Sequence, residues 1–235
     1  HLDQWKHQGR DPLEALTDAE WRALDGLIVA GDLSNAAARK WPRFLARLAG
    51  RMDPARIHIL PGNHDYYDLR LDEDAPLAAL CADHGVNFAQ EAEVRIAGQH
   101  FLCATLWSDF RLPADPAALT DFTRISGPTG AALNIADIQR LHQRQLDWLQ
   151  ARLAACDGRA MVVTHHVPHP DLLAPGTRAP GAFASDLGAF MRRHRPQGWL
   201  FGHAHDAQSR EIEGVACRNV ALGPPVHRGA DPGAR

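Results

Sequence analysis

The chain has 235 residues, of which 45% are hydrophobic and 23% are charged, and its formal net charge is −3. This length and composition predict a single globular domain over residues 1–235 with a substantial hydrophobic core. The small negative charge gives no support for binding to long nucleic acids or anionic membranes, and no apolar run approaches the roughly 18 residues of a membrane span.

The cysteine pattern bears on the cellular compartment. The four cysteines are scattered and form no C-x-x-C pair. They are predicted to be reduced thiols, which favours a cytoplasmic protein over a secreted, disulfide-rich one. The fourteen histidines are the one unusual count, so the question is which of them converge.

Strands and helices alternate along the chain. Compact apolar runs without alternation predict strands covered on both faces at residues 26–30, 56–60, 160–164 and 198–201. Helical patterns between or after them cover residues 35–49, about 134–155 and about 185–194. This order predicts an α/β fold with a parallel or mixed sheet.

Two further strand pairs and one irregular segment interrupt that order. Residues 93–96 with 100–106, and 210–212 with 215–220, flank glycine-containing turns and predict antiparallel hairpins. Added to strand–helix units, they indicate one mixed sheet or two packed sheets. Residues 111–133, rich in Pro, Gly, Ala and Asp, are predicted to form a surface lid.

Each of the four apolar strands ends in residues that can bind a metal ion. In strand order these are Asp32; Asn63, His64 and Asp65; His165 and His166; and His203 and His205. Taken singly, Asp32 and Asn63 can be turn or cap residues and the pair His165-His166 can arise by chance, whereas the alternating histidines His203 and His205 are harder to explain structurally. Because the carboxyl ends of strands in α/β sheets form a ligand-binding crevice, their combination predicts one shared metal site.

The number and type of these ligands indicate the metal chemistry. One carboxylate, one amide oxygen and three imidazoles exceed the four ligands of a tetrahedral zinc ion. They suit two divalent cations that share a carboxylate, with Asp32 as the natural bridge, and the mixed ligands favour manganese, iron or zinc. Two such ions about 3.5–4 Å apart generate hydroxide near neutral pH and stabilise an in-line displacement.

The motifs Gly31-Asp32, Gly62-Asn63-His64-Asp65, His165-His166 and Gly202-His203-Ala204-His205 resemble those of the calcineurin-like metallophosphoesterases. Their order and rough spacing agree over essentially the whole chain. Bacterial members also look similar around residues 104–110 (ATLWSDF) and 120–125 (TDFTRI). The resemblance implies a four-layer αββα sandwich, in which helices flank two mixed β-sheets.

The family opens with a D-x-H motif on its first strand, and His1-Leu2-Asp3 looks like the tail of that motif. His1 is then the motif histidine, and its aspartate, two residues earlier, lies outside this sequence together with the first strand. The alternative is that His1 is a cloning remnant.

The resemblance assigns a role to each matching position. It implies that Asp32 bridges the metals, His1 and His205 hold the first, and Asn63, His165 and His203 hold the second. His64 is expected to lie over the substrate phosphate and to stabilise its charge or protonate the leaving oxygen, with Asp65 orienting its ring. His166 would support a ligand or contact the substrate.

Three other polar residues have either a structural or a functional explanation. His142 lies on the apolar face of its predicted helix and is expected to be a core histidine. Asp109 is expected in a turn or at the crevice, and Arg178 is a candidate phosphate contact. Loops 111–133 and 169–181 are expected to determine specificity.

The expected function is hydrolysis of a phosphomonoester or phosphodiester in a small-molecule substrate. The attacking group is expected to be a hydroxide that bridges two divalent metal ions. One alternative is a non-catalytic scaffold of the same fold. Another is a binuclear metallohydrolase acting on a non-phosphate bond, although the H-x-H-x-D-H run of metallo-β-lactamases is absent. The oligomeric state and the substrate are not predicted.

Overall fold

Two β-sheets form the centre of the fold in the computed structural model, which describes residues 1–7, 9–206 and 209–223. The strands are β1 (Leu27–Ala30), β2 (Ile57–Leu60), β3 (Asn87–Phe88), β4 (Ala92–Ile96), β5 (Gln99–Ala104), β6 (Met161–Thr164), β7 (Gly198–Phe201), β8 (Ser209–Ile212) and β9 (Val215–Asn219). The helices are α1 (Leu2–His7), α2 (Asp18–Ala23), α3 (Ala37–Ala49), α4 (Asp74–Asp83), α5 (Asp121–Arg124), α6 (Ile135–Ala155), α7 (Pro180–Phe183) and α8 (Gly188–His194).

The two sheets differ in strand direction. The first has the order β1-β2-β3, and both of its strand pairs are parallel. The second has the order β4-β5-β6-β7-β9-β8, with antiparallel hairpins at its two ends and parallel pairs between them. Both predicted hairpins are present, and the second sheet is mixed as predicted; the first contains only parallel pairs among the described residues.

Successive residues of a strand contribute to hydrophobic clusters on opposite faces of its sheet. Ile57 and Ile59 of β2 face a cluster that contains buried residues of α3, whereas Leu60 faces a separate cluster with Val94 and Val163 of the second sheet. The opposite-facing residues of the second sheet pack in a third cluster with residues of α6 and α8. Since successive strand residues point to opposite faces, each sheet buries both of its faces. The αββα sandwich is confirmed.

The longest helix, α6, begins as its sequence predicts. The Asn134 side chain accepts a hydrogen bond from the Asp137 N–H (3.0 Å), and Asp137 accepts one from the Asn134 N–H (3.3 Å). This capping box satisfies two backbone donors at the helix start. No helix among the described residues is long and apolar enough to cross a membrane.

Two helices begin later than predicted, because the residues before them have other contacts. Helix α3 starts at Ala37, after Ala36 adopts a left-handed conformation (φ 53°) and Asn35 turns its side chain towards His64. Helix α8 starts at Gly188, because the Ser185 hydroxyl accepts a hydrogen bond from the backbone of Asp109 (2.9 Å). Both residues connect loops instead of extending a helix.

Helix α6 provides a matched stability test. Leu149 is fully buried in the cluster on the outer face of the second sheet, whereas Leu146 on the same helix is only partly buried. We expect Leu149→Ala to lower the free energy of unfolding by about 2–5 kcal/mol, because it leaves a cavity. Leu146→Ala should cost clearly less in the same urea titration. Equal losses would contradict the packing described here.

Candidate metal centre

Strand ends from both sheets meet at one point. Asp32 follows β1 after Gly31, and Asn63 opens a short 3-10 helix (Asn63–Tyr66) after β2. His165 follows β6 directly, and His203 lies two residues after β7. Because β1 and β2 belong to the first sheet and β6 and β7 to the second, the site lies where the two sheets approach each other.

Asp32 lies at the centre of this arrangement. Its Oδ2 is 3.3 Å from His1 Nε2, and its Oδ1 is 3.4 Å from His165 Nε2. Two groups of side chains bring potential ligand atoms within 4.8 Å of one another, and both contain Asp32. One group adds His1 and His64, and the other adds His165 and His203. A carboxylate shared in this way has the geometry expected of a bridging ligand.

The Nε2 of His165 faces two hydrogen-bond acceptors, Asn63 Oδ1 and Asp32 Oδ1. The His165 Nδ1 is 2.9 Å from the Ala30 carbonyl oxygen, which can only accept, so Nδ1 carries the proton. In the neutral ring with this tautomer, Nε2 has a lone pair, and it lies 3.1 Å from Asn63 Oδ1 and 3.4 Å from Asp32 Oδ1. An imidazole nitrogen, an amide oxygen and a carboxylate oxygen without a proton between them are a donor set that fits a cation.

The electrostatics favour the forms that bind metals. Burial raises the pKa of Asp32, but the imidazoles of His165, His64 and His203 outweigh this and leave the pKa below its usual value. Burial, together with His166 and His165, lowers the pKa of His203 well below that of a free histidine. The lowered pKa of Asp32 favours an ionised carboxylate, and that of His203 favours a neutral imidazole, which are the forms of these two groups that bind metals.

Close approach of the backbone makes two glycines necessary. A Cβ at Gly31 would overlap the His165 ring, and one at Gly62 would overlap Asp32 Oδ1. Gly31 also has φ 92°, and the next residue, Asp32, has φ 56°. Since left-handed conformations are uncommon for residues other than glycine, Asp32 is held by its surroundings.

The other two predicted metal ligands, His1 and His205, border the cavity beside Asp32. His1 Nε2 is buried and makes no hydrogen bond in the part of the chain that the structure describes, although Asp32 Oδ2 lies 3.3 Å from it. The His1 ring centroid lies 4.8 Å from that of His64 and 5.1 Å from that of His205. His205 belongs to neither group of converging ligand atoms, although its ring borders the same cavity.

The His64 ring is held by Asn35, not by Asp65. His64 Nδ1 is 2.6 Å from Asn35 Oδ1, and its backbone N–H donates to Asp32 Oδ1 (3.0 Å). The Asp65 carboxylate instead accepts hydrogen bonds from four other donors: the N–H groups of Leu33 (3.3 Å), Ser34 (3.0 Å) and Gly62 (2.9 Å), and the Trp41 indole (2.9 Å). Asp65 thus joins the loop after β1 to the loop after β2, and the orienting contact expected of it is made by Asn35.

Comparison with known proteins agrees with this geometry. The sequence profile described as calcineurin-like phosphoesterase matches residues 6–207, which is most of the chain. The chain belongs to the calcineurin-like phosphoesterase family. No curated protein sequence gives a significant match.

Solved structures support the fold of this phosphoesterase. The phosphopantetheinyl hydrolase PptH from Mycobacterium tuberculosis is similar with a TM-score of 0.61 and 19% identity, over 86% of this chain and 80% of that protein. The protein TT1561 of Thermus thermophilus is similar with a TM-score of 0.52 and 14% identity, over 84% of this chain and 76% of that protein. At these identities the likeness extends to the fold alone.

Several other residues singled out in the sequence have structural surroundings in the phosphoesterase fold. His142 is buried, and its Nδ1 donates to the Trp107 carbonyl, as expected of a core histidine. The Asp109 carboxylate accepts the Arg111 N–H (3.1 Å), which is a turn contact. Arg178 is exposed, and His166 is buried with its ring centroid 4.4 Å from that of His203.

Two residues that contact the site were not predicted from the sequence. Asn35 belongs to the segment predicted as helix, and Asp121 belongs to the segment predicted as a lid. Asp121 is half-buried, and its carboxylate accepts hydrogen bonds from Asn63 (2.9 and 3.1 Å) and from the Tyr67 hydroxyl (3.0 Å). The only sequence signal for it is the family-like TDFTRI stretch.

The four contacts of Asp65 give a testable prediction. In Asp65→Asn the new amide group faces N–H donors that the lost oxygen accepted. We expect the free energy of unfolding to fall by about 2–4 kcal/mol, since each unpaired buried donor costs about 1–3 kcal/mol. Asp115→Asn is the control, because Asp115 is an exposed capping residue and asparagine caps equally well. A loss no larger than the control's would contradict the role of Asp65.

Proposed function

We propose that the chain is a phosphoesterase that uses two divalent cations, of manganese, iron or zinc, to hydrolyse a phosphomonoester or phosphodiester of a small molecule. The main support is that His165 Nε2 lies 3.1 Å from Asn63 Oδ1 and 3.4 Å from Asp32 Oδ1, in a chain of the calcineurin-like phosphoesterase family. Without a cation or an added proton, these acceptors face one another with no favourable partner.

The residues divide into two ligand sets around Asp32. Asn63, His165 and His203 would hold one cation, and His1 and His205 would contribute to the other, with Asp32 shared. The buried His1 Nε2, which lies 3.3 Å from Asp32 Oδ2 but makes no hydrogen bond in the described chain, supports the second assignment. When bound, the cations lower the pKa of a coordinated water and neutralise charge on the phosphate.

His64 would act as the general acid. A hydrogen bond from Nδ1 to Asn35 Oδ1 (2.6 Å) orients the ring and leaves Nε2 to donate a proton to the leaving oxygen. The Tyr67 ring, with its centroid 4.5 Å from that of His64, restricts the ring on another side. Asp65 would act indirectly, because it fixes the two loops that carry Asp32 and His64.

The start of the chain lies beside the proposed site. Strand β1 is an edge strand among the described residues, and a cavity of about 280 Å³ is lined by its residues and by residues 220–223. The Leu2 N–H donates to the Leu33 carbonyl (2.9 Å), so His1 is held beside the loop after β1, which carries Asp32.

Metal content and turnover of the full-length protein test the proposal. We expect about two divalent ions per chain, and Mn²⁺-stimulated hydrolysis of p-nitrophenyl phosphate or bis(p-nitrophenyl) phosphate. His64→Ala should retain metal and lose about 10²–10⁴-fold in kcat, as removal of a general acid does. His84→Ala is the matched control, because His84 lies at the end of α4 and contacts the Leu80 carbonyl. A phosphopantetheinyl substrate joins the panel because of the similar hydrolase.

The alternatives predict other outcomes. Little bound metal and no turnover would favour a non-catalytic scaffold. Two bound ions with turnover of p-nitrophenyl acetate, but of neither phosphate ester, would favour a hydrolase of non-phosphate bonds.

A further inference from the structure

Asp121 makes a two-point contact with the Asn63 side chain. The Asn63 Nδ2 lies 2.9 Å from one carboxylate oxygen of Asp121 and 3.1 Å from the other. The opposite end of the amide, Oδ1, faces His165 Nε2 at 3.1 Å. Asp121 is therefore on the far side of Asn63 from the converging acceptors.

The orientation of this amide decides whether Asn63 can be a ligand. The oxygen and nitrogen ends of an asparagine side chain have nearly the same shape, so their hydrogen-bond partners determine which end points where. A carboxylate accepts hydrogen bonds and favours the Nδ2 end. With the amide reversed, the NH₂ group would face His165 and Asp32, and the site would lose an oxygen ligand.

The same carboxylate also holds the Tyr67 ring beside His64. The Tyr67 hydroxyl donates to Asp121 Oδ1 (3.0 Å), and the Tyr67 ring packs against the His64 ring. Helix α5 begins at Asp121 and ends at Arg124. The Arg124 carbonyl accepts a hydrogen bond from the Asp68 N–H (2.8 Å), and the Arg124 guanidinium donates to the Asp68 carboxylate, so the helix is fixed to this region. The position of Asp121 is thus set independently of Asn63.

We propose that Asp121 is a positioning residue that directs the Asn63 amide oxygen into the metal site. This proposal rests on the proposed function, because it takes Asn63 as a metal ligand. It assigns a role to segment 111–133 that differs from a lid, since α5 supports the ligands from behind.

Metal binding by two variants tests this role. The full-length protein is stripped of metal and titrated with Mn²⁺, with calorimetry for affinity and electron paramagnetic resonance for free ion. Asp121→Asn removes the preference for one amide orientation, so we expect one of the two sites to weaken by about 10–100-fold. In the double variant Asn63→Asp with Asp121→Asn, either orientation of residue 63 presents oxygen, and Mn²⁺ affinity should return to within about threefold of the parent.

The double variant has the same net charge and nearly the same volume as the parent, so a loss of general packing would not be reversed by it. Asp74→Asn is the matched control, because Asp74 accepts a hydrogen bond from the Tyr66 hydroxyl as Asp121 does from Tyr67. It should leave Mn²⁺ affinity unchanged. Thermal unfolding of the metal-free proteins accompanies each titration.

The outcomes separate this inference from the proposed function. If the parent binds no Mn²⁺, the proposed function fails and the inference falls with it. If the parent binds two ions and Asp121→Asn binds them equally well, only the role of Asp121 is overturned. A double variant as weak as Asp121→Asn also overturns it. If Asp121→Asn does not fold, the double variant decides, and parent-like binding is the expected result.

Discussion

The close contact of His165 Nε2 with the side-chain oxygens of Asn63 and Asp32 is the constraint on which the rest of the site depends. These atoms are buried, and with His165 neutral no hydrogen atom stands between them, so bringing them together costs free energy unless a cation or an added proton is present. The surrounding structure holds each acceptor in place. The Ala30 carbonyl sets the His165 tautomer, Asp121 sets the Asn63 amide, and Gly31 leaves room for the His165 ring.

Two neighbouring buried carboxylates have opposite functions because their partners differ. Asp65 accepts four hydrogen bonds from donors of the fold, and its pKa is raised by burial and by the charge of Asp32. Asp32 accepts the His64 N–H and otherwise faces imidazoles, which lower its pKa against the effect of burial. Asp65 is therefore committed to joining two loops, whereas Asp32 retains oxygens that can bind cations.

The sequence predicts the parts of the site that local pattern determines. Asp32 and His165 follow short apolar strands, and a strand end is visible from the residues beside it. Asn35 and Asp121 could not be found in this way, because their contacts join segments 29 and 58 residues apart. The contacts of Asp65 are also non-local. Its adjacency to His64 suggests a contact, but the chain turns its carboxylate away towards Leu33, Ser34 and Trp41.

The site also joins the two sheets. His165 and His203 come from the second sheet, and Asp32 and Asn63 come from the first, while the apolar cluster around Leu60 and Val163 sets the distance between the sheets. A cation bound by ligands from both sheets stabilises this packing, because it binds the folded arrangement and not the separated strands. In turn, a change in the cluster that moves the sheets apart weakens the ligand geometry. In the proposed site, packing between the sheets and metal affinity would therefore be coupled.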